Sequence, residues 1–382
     1  MLAARQRAVA LPPLCDACTF LLAADRCIQW SCNGAAACIA AQSRTKERVM
    51  RVRFSWLAAL ALLVLACAAR AGDIVDAAYV QDALKRGAIV WDTRAAGAYA
   101  DGHVPGAVNI GDAGEVLRNP NTEDFLPTPQ IEKLLNAAGI DLRKEVIVYS
   151  RAGDPYAHWA LTAVRHFGGT NGKVFHGGLD AWRAAGLPVT KEPTKLAAVD
   201  QKLSVVPGVQ VYLPDVVARV TSKADVQIID ARTPREYSGD DIRALRGGHI
   251  PGARNIPYEQ NWMDPATGGK LARGEVKTRD GMSLKPADQL RALYAGLDPN
   301  KETIVYCQSG VRASETANVL RELGFTKVAV FEESWLGYGN TLNAPAEGVQ
   351  FLNVGALNNR IRSLEGQVED LQGQLEKLQK AK

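Results

Sequence analysis

An α/β architecture is predicted: two domains of one type, each a parallel sheet flanked by helices, followed by a single helix with a coiled-coil pattern. Three observations predict it. One motif series occurs twice in the chain; short apolar strands alternate with helical stretches in both copies; and the C-terminal residues carry apolar side chains at alternating spacings of four and three. Alternating strands and helices argue for a parallel sheet covered on both faces. At 382 residues, 47% hydrophobic and 23% charged, the chain has room for two cores. A net charge of +4 without a long basic run gives no footprint for nucleic acid and suits a small anionic substrate.

The first element is an export signal. Met50-Arg51-Val52-Arg53 is a basic start, Phe54 to Leu65 an apolar stretch too short to span a bilayer, and Ala69-Arg70-Ala71 a small-x-small cleavage site before Gly72. Export signals begin a chain, so translation is expected to start at Met50, with residues 1–49 an overextended reading frame and 50–71 the signal peptide. The alternative is a leader whose Cys15, Cys18, Cys27, Cys32 and Cys38 bind a metal, against which stands the lack of a second regularly spaced pair. Lipidation at Cys67, with Val64-Leu65-Ala66 as lipobox, is the alternative to cleavage and release; leucine just before the small residue fits it poorly. The expected location is periplasmic or secreted. Cleavage after Ala71 removes six of the seven cysteines and leaves Cys307, so no internal disulfide is possible.

The repeat comes next. The first copy, residues 73–190, reads Val90-Trp91-Asp92-Thr93-Arg94, Tyr99, Gly102-His103-Val104-Pro105-Gly106-Ala107 and Asn109-Ile110. The second, residues 207–346, reads Ile228-Ile229-Asp230-Ala231-Arg232, Tyr237, Gly248-His249-Ile250-Pro251-Gly252-Ala253 and Asn255-Ile256. Each continues to a helix (130–138, 287–294) and a strand (145–149, 303–306). Residues 191–206, bracketed by Pro193 and Pro207, read as a linker. The second copy is longer between Tyr237 and His249 and between Tyr258 and Ser283; both insertions are expected to be loops, carrying function or merely tolerated. Last, Leu357, Ile361, Leu364, Val368, Leu371, Leu375 and Leu378 form a heptad over residues 355–380. Ile361 and Val368 at a with Leu364 and Leu371 at d favour a parallel dimer, Leu375 at a leaves a trimer open, and a tail folded onto its own domain is the alternative.

Cys307 is placed to react. It ends a strand and precedes a helix, where open α/β sheets place ligands and where the helix start offers backbone N–H groups and partial positive charge. Loop amides and Arg312 are expected to favour the thiolate, the attacking form, and to cradle an anion.

Val305-Tyr306-Cys307-Gln308-Ser309-Gly310-Val311-Arg312-Ala313-Ser314 resembles the active-site loop of rhodaneses, and the Asp-x-Arg and Gly-His-x-Pro-Gly-Ala segments of both copies are that family's other hallmarks, over residues 74–345. The resemblance implies two rhodanese-like domains and ping-pong sulfur transfer. Cys307 takes the outer sulfur of thiosulfate as a persulfide, sulfite leaves, and cyanide or a thiol accepts the sulfur; no metal or organic cofactor is required. Arg312 is expected to hold the sulfonate, with Gln308, Ser309, Gly310 and Val311 supplying the cradle; Arg235 and Arg246 lie in loops that could reach the pocket and assist, with solvated surface the default for each. Asp230, Arg232 and His249 are expected to be structural near the site, as are Asp92, Arg94 and His103 in the first copy. Trp335 follows Ser334 in a segment resembling the family's Asp-Gly-Ser-Trp closure, with Glu332-Glu333 in place of Asp-Gly. Ser150 stands where the first copy would have its cysteine, so that domain is expected to be non-catalytic. The partners expected are a small anionic sulfur donor, a thiol or cyanide acceptor and further copies of the chain, with no membrane span. A 3-mercaptopyruvate donor and a non-enzymatic persulfide carrier or redox sensor are the alternatives. The related dual-specificity phosphatases use a loop one residue longer than the four residues between Cys307 and Arg312.

Overall fold

The computed structural model describes residues 72–380. The readings of the late start, the signal peptide, the cysteine-rich leader and Cys67 fall on residues 1–71 and lie outside them.

The first half runs α1 (Ala77–Lys85), β1 (Ile89–Asp92), α2 (Ala96–Ala100), β2 (Val108–Asn109), α3 (Ala113–Val116), α4 (Thr128–Ala138), β3 (Val146–Tyr149), α5 (Pro155–His166), β4 (Gly172–Phe175) and α6 (Gly178–Ala184). Its sheet has the order β2-β1-β3-β4, every pair parallel. Ile74 bridges Val174 in parallel and adds to the β4 edge. The second half runs β5 (Gln210–Val211), α7 (Leu213–Thr221), β6 (Gln227–Asp230), α8 (Pro234–Ser238), β7 (Arg246–His249), β8 (Arg254–Asn255), α9 (Thr267–Ala272), α10 (Ala287–Leu293), β9 (Thr303–Tyr306), α11 (Val311–Glu322), β10 (Val328–Phe331), α12 (Ser334–Asn340), β11 (Glu347–Phe351) and α13 (Val354–Lys380). Its parallel sheet has the order β5-β10-β9-β6-β8, which matches Ile74-β4-β3-β1-β2 strand for strand. The duplicated motif series is therefore a duplicated fold.

Local chemistry accounts for the elements. β3 and β9 are buried at every residue because they sit mid-sheet with helices on both faces, which calls for apolar runs rather than alternation. Asp154 caps α5 by accepting from the Tyr156 N–H, and Pro155 occupies the first turn, where a missing donor costs nothing. α4 ends at Gly139 with φ 72°, the left-handed stop that glycine takes without a Cβ penalty.

Three sequence expectations are refined. Residues 191–206 form no helix or strand, yet they are held rather than loose: Gln201 is buried and bonds the Ile140 carbonyl and the Leu142 N–H, and the Val206 N–H donates to His166. The two insertions are not plain loops. The first supplies β7, which pairs antiparallel with β11, and the second contains α9 and two 3₁₀ turns. Both stay ordered because they bury polar anchors, such as Trp262 donating to Glu315 at 2.8 Å.

The halves share their interior. α5 packs on α11, Val311 joins the first half's core, and Asn318 of α11 donates to the His158 carbonyl at 3.1 Å. α13 stands apart as a 27-residue helix, about 40 Å long at 1.5 Å per residue, with its leucine stripe exposed. Among the described residues no helix is long and apolar enough to cross a membrane.

Candidate active site

Cys307 lies in the four-residue turn between β9 and α11, buried and as a free thiol. Ser334 holds this turn from beneath. Its hydroxyl accepts from the N–H groups of Cys307 (3.2 Å) and Gly310 (3.0 Å) and donates to the Phe331 carbonyl (2.7 Å). Ser334 has φ 49°, a strained setting for a residue with a Cβ, kept by these three bonds. From the other side the Trp335 N–H donates to the Cys307 carbonyl (3.0 Å) and the Leu336 N–H to that of Gln308 (2.9 Å). Gly310 has φ 78°, and a Cβ there would meet the Glu332 carbonyl at 3.2 Å, so the turn into α11 requires glycine. α11 thus begins beside the thiol, and its first-turn N–H groups have no intrahelical acceptor.

Arg312 is not free to hold a substrate alone. Both of its terminal nitrogens donate to Glu236 of α8, each at 2.8 Å, a fork-to-fork pair with Glu236 almost wholly buried. Burial would raise the Glu236 carboxyl, but Arg312 and the Thr233 N–H and hydroxyl outweigh it and hold the group down at about 2. Burial likewise works against the Arg312 charge, and the Glu236 bonds with the nearby charges of Cys307, Glu236 and Glu259 hold it above the usual arginine range. Glu236 also takes Arg243 at 3.2 Å, and the Arg243 carbonyl accepts from the Gln308 side chain at 2.8 Å. Glu236 is thus shared by two arginines, Glu259 lies close enough to act on Arg312 as well, and Arg243, half exposed, is the arginine of the pair that faces solvent.

The other two arginines expected at the pocket do something else. Arg246 is buried with its guanidinium on the carbonyls of Thr341 (3.0 Å) and Ala344 (2.8 Å), so it satisfies the orphan acceptors after α12 and is not a substrate ligand. Arg235 lies exposed on α8, its charge felt by Asp240. Sequence reasoning missed Glu236, Arg243 and Ser334. It also missed Arg118 of the first half, which donates to the Ser309 carbonyl at 2.7 Å while its guanidinium lies over the Trp159 ring. Signals for the pair were present. Thr233-x-x-Glu236 is a capping box, and comparing the copies puts Ala98 opposite Glu236 and Pro155 opposite Arg312, so the two partners change together.

Asp230, Arg232 and His249, read from the sequence as structural, make contacts that hold their loops. Arg232 pairs with Asp230 (2.6 Å), bonds the Gly248 carbonyl (2.7 Å) and lies over the Trp335 ring, while His249 stacks on Tyr237 and bonds its carbonyl. Trp335 is buried and donates to the Arg246 carbonyl. The first half repeats these contacts: Arg94 pairs with Asp92, bonds Gly102, and His103 stacks on Tyr99.

A model of the rhodanese-like domain matches residues 76–185 and again 213–341. The chain belongs to the rhodanese family. It is 33% identical over 262 residues to a thiosulfate sulfurtransferase of Corynebacterium glutamicum, covering 65% of this chain and 81% of that one. Among solved structures it resembles SseA of Escherichia coli, described with the 3-mercaptopyruvate sulfotransferases, at 25% identity and a TM-score of 0.58, over 69% of this chain and 99% of that one. It also shares its fold with an anaerobic ergothioneine biosynthesis enzyme of Chlorobium limicola, at 21% identity and a TM-score of 0.61, over 72% and 70% of the two chains.

Within this rhodanese the first domain keeps the turn and has Ser150 where the second has Cys307. Leu179 N–H donates to the Ser150 carbonyl, as Trp335 does to Cys307, but Ser150 bonds Asp154 at 2.5 Å, a partner sequence reading had not assigned. Beneath the two turns lies a buried polar relay. Asn318 faces His158 Nδ1, His158 Nε2 meets His176 Nδ1 at 2.9 Å, and His176 Nε2 meets the Met282 carbonyl at 2.8 Å. Burial pushes both imidazoles down towards the neutral form and lifts Glu315, beside them, to about 8. His158, His176 and Glu315 are the one donor set among the described residues compact enough for a metal ion. His158 Nε2 and His176 Nδ1 already bond each other, and the outer ring nitrogens meet Asn318 and Met282 of the second half, which makes the imidazole pair an interdomain tie.

Proposed function

We propose that this rhodanese is a sulfurtransferase that moves a sulfane sulfur from thiosulfate to cyanide or a thiol through a persulfide on Cys307. The observation that carries the reading is a free thiol at the start of α11, in a turn clamped by Ser334 and flanked by Arg312 and Arg243, which share Glu236. The Cys307 thiolate attacks the outer sulfur, the sulfur–sulfur bond of thiosulfate breaks, and sulfite leaves with the electron pair; cyanide then takes the terminal sulfur and returns the thiolate. Arg243 meets the incoming sulfonate, Arg312 keeps the turn in place through Glu236, and helix-start amides stabilise the anionic persulfide. The thiosulfate sulfurtransferase relative supports this donor, and SseA supports 3-mercaptopyruvate as the second reading. Steady-state transfer to cyanide by the protein from Gly72 onward, with each donor in turn, tests it. Turnover with thiosulfate is expected; turnover with 3-mercaptopyruvate alone would reassign the donor, and none with either, alongside a persulfide mass shift on Cys307, would make the protein a carrier.

The chain is also proposed to self-associate through α13 as a parallel dimer. Val354, Ile361 and Val368 fall at a and leucines at d, and in parallel register Arg360 at g faces Glu365 at e of the partner helix, while the next two such pairs are Gln367 with Gln372 and Gln374 with Gln379. Like charges face each other at none of these positions. Truncation before Gly355 is expected to halve the mass measured by sedimentation and leave transfer per chain within about twofold, because α13 contains none of the loop residues and its apolar stripe is exposed; an unchanged mass would remove the coiled coil.

A further inference from the structure

Three residues at the start of the described chain are fastened across both halves, and one carboxylate there enters no ion pair among the described residues. Asp73 pairs with Arg165 of α5 (2.5 Å) and Lys173 of β4 (3.4 Å), Ile74 joins the first sheet, and the Lys173 ammonium also bonds the Gly72 carbonyl (3.0 Å). From the second half, Glu322 at the end of α11 accepts from the Asp73 N–H at 2.8 Å and the Ile74 N–H at 3.4 Å. Among the described residues Glu322 enters no ion pair, although its charge is felt by Arg165. Its neighbour Arg321 turns away to the Val328 carbonyl.

Gly72 is pressed against that carboxylate. A Cβ at Gly72 would lie 1.7 Å from one Glu322 oxygen and 2.6 Å from the other, so only glycine leaves the carboxylate where it is. The backbone nitrogen of Gly72 is bonded to the same Cα, which puts it within ion-pair reach of Glu322. Immediately upstream the sequence reads Ala69-Arg70-Ala71, the small-x-small motif that follows the basic and apolar stretches starting at Met50.

We infer that the chain is cut between Ala71 and Gly72 and that the new α-ammonium of Gly72 pairs with Glu322, so that processing supplies the ion-pair partner that Glu322 lacks among the described residues. A signal peptidase adds water across the peptide bond, leaving a carboxylate on Ala71 and an ammonium on Gly72. Before the cut, position 72 offers a neutral amide; afterwards it offers a full charge to a carboxylate already aimed by two N–H groups. The mature terminus then ties α11 to the first half, on the helix that begins at Cys307.

The test is expression of the chain from Met50 with export in a Gram-negative host, intact mass of the exported product, and titration of its α-amino group by NMR after isotopic methylation. The expected product begins at Gly72, with its α-amino group titrating about half to one unit above the usual value near 8. Glu322→Gln, an exposed substitution outside both cores, is expected to return that group to the usual value, and Glu322→Asp to do so in part. A product that is uncut, cut elsewhere or lipidated on Cys67 overturns the processing site. A terminus at Gly72 whose titration ignores Glu322→Gln overturns the pairing.

Discussion

Cys307→Ser is expected to lower sulfur transfer by about a thousandfold or more, to the limit of detection, while leaving the melting temperature within a few degrees. A serine hydroxyl stays protonated at neutral pH and cannot carry a persulfide. The fold is spared because the turn is held through backbone groups: the Cys307 N–H on Ser334 and the Cys307 carbonyl on Trp335. Ser150→Ala, at the matching place in the first half, is the control. It removes one hydroxyl bonded to Asp154 and is expected to leave turnover within about twofold. Both variants are checked by the same cyanide assay with melting followed by circular dichroism. Comparable loss from the two would end the division between a reacting and a supporting domain.

The second large effect belongs to Glu236. Replacing it by alanine leaves the Arg312 guanidinium buried without its carboxylate, which costs on the order of 3–5 kcal/mol in similar buried pairs, and it also removes the capping box of α8 and the partner of Arg243. Urea unfolding is expected to show that loss, and transfer should fall about tenfold or more because Arg312 no longer fixes the start of α11. The pH dependence has a definite sign. The folded carboxyl sits at about 2, below its ordinary value of 4.5, so the stability from this pair is present above about 4.5 and is lost as pH falls through about 2. Glu236→Gln should therefore flatten the acid limb of the stability profile and leave less to lose at low pH. An unchanged acid limb would mean that the pair contributes nothing to stability.

Glu236 also marks the boundary of what could be read from the chain alone. The fold class was legible because it rests on periodicity and repetition. The short β-rich runs at 145–149 and 303–306, alternating with helical stretches, argue for strands covered on both faces, and a twice-written motif series argues for a twice-built domain. Cys307 was legible because its surroundings are local in sequence: a strand before it, a glycine and a helix after it. Asp230, Arg232 and His249 were legible as braces because the same three types recur in the half that has no thiol.

What the sequence could not show is which distant groups meet at the turn. Arg312 looked like an anion ligand until the fold put Glu236, 76 positions upstream, on both of its nitrogens. Arg246 looked like a pocket residue until β7 carried it under the end of α12, and Arg243, a near neighbour in the same insertion, took the place at the loop. Ser334 beneath Cys307 is brought there by the turn between β10 and α12, and Arg118 comes from the half whose α5 packs on α11. Hydrophobic periodicity reports which face of an element is buried. It carries no information about which charged side chain closes which loop, because that depends on how separate elements stack, and only tertiary structure decides it.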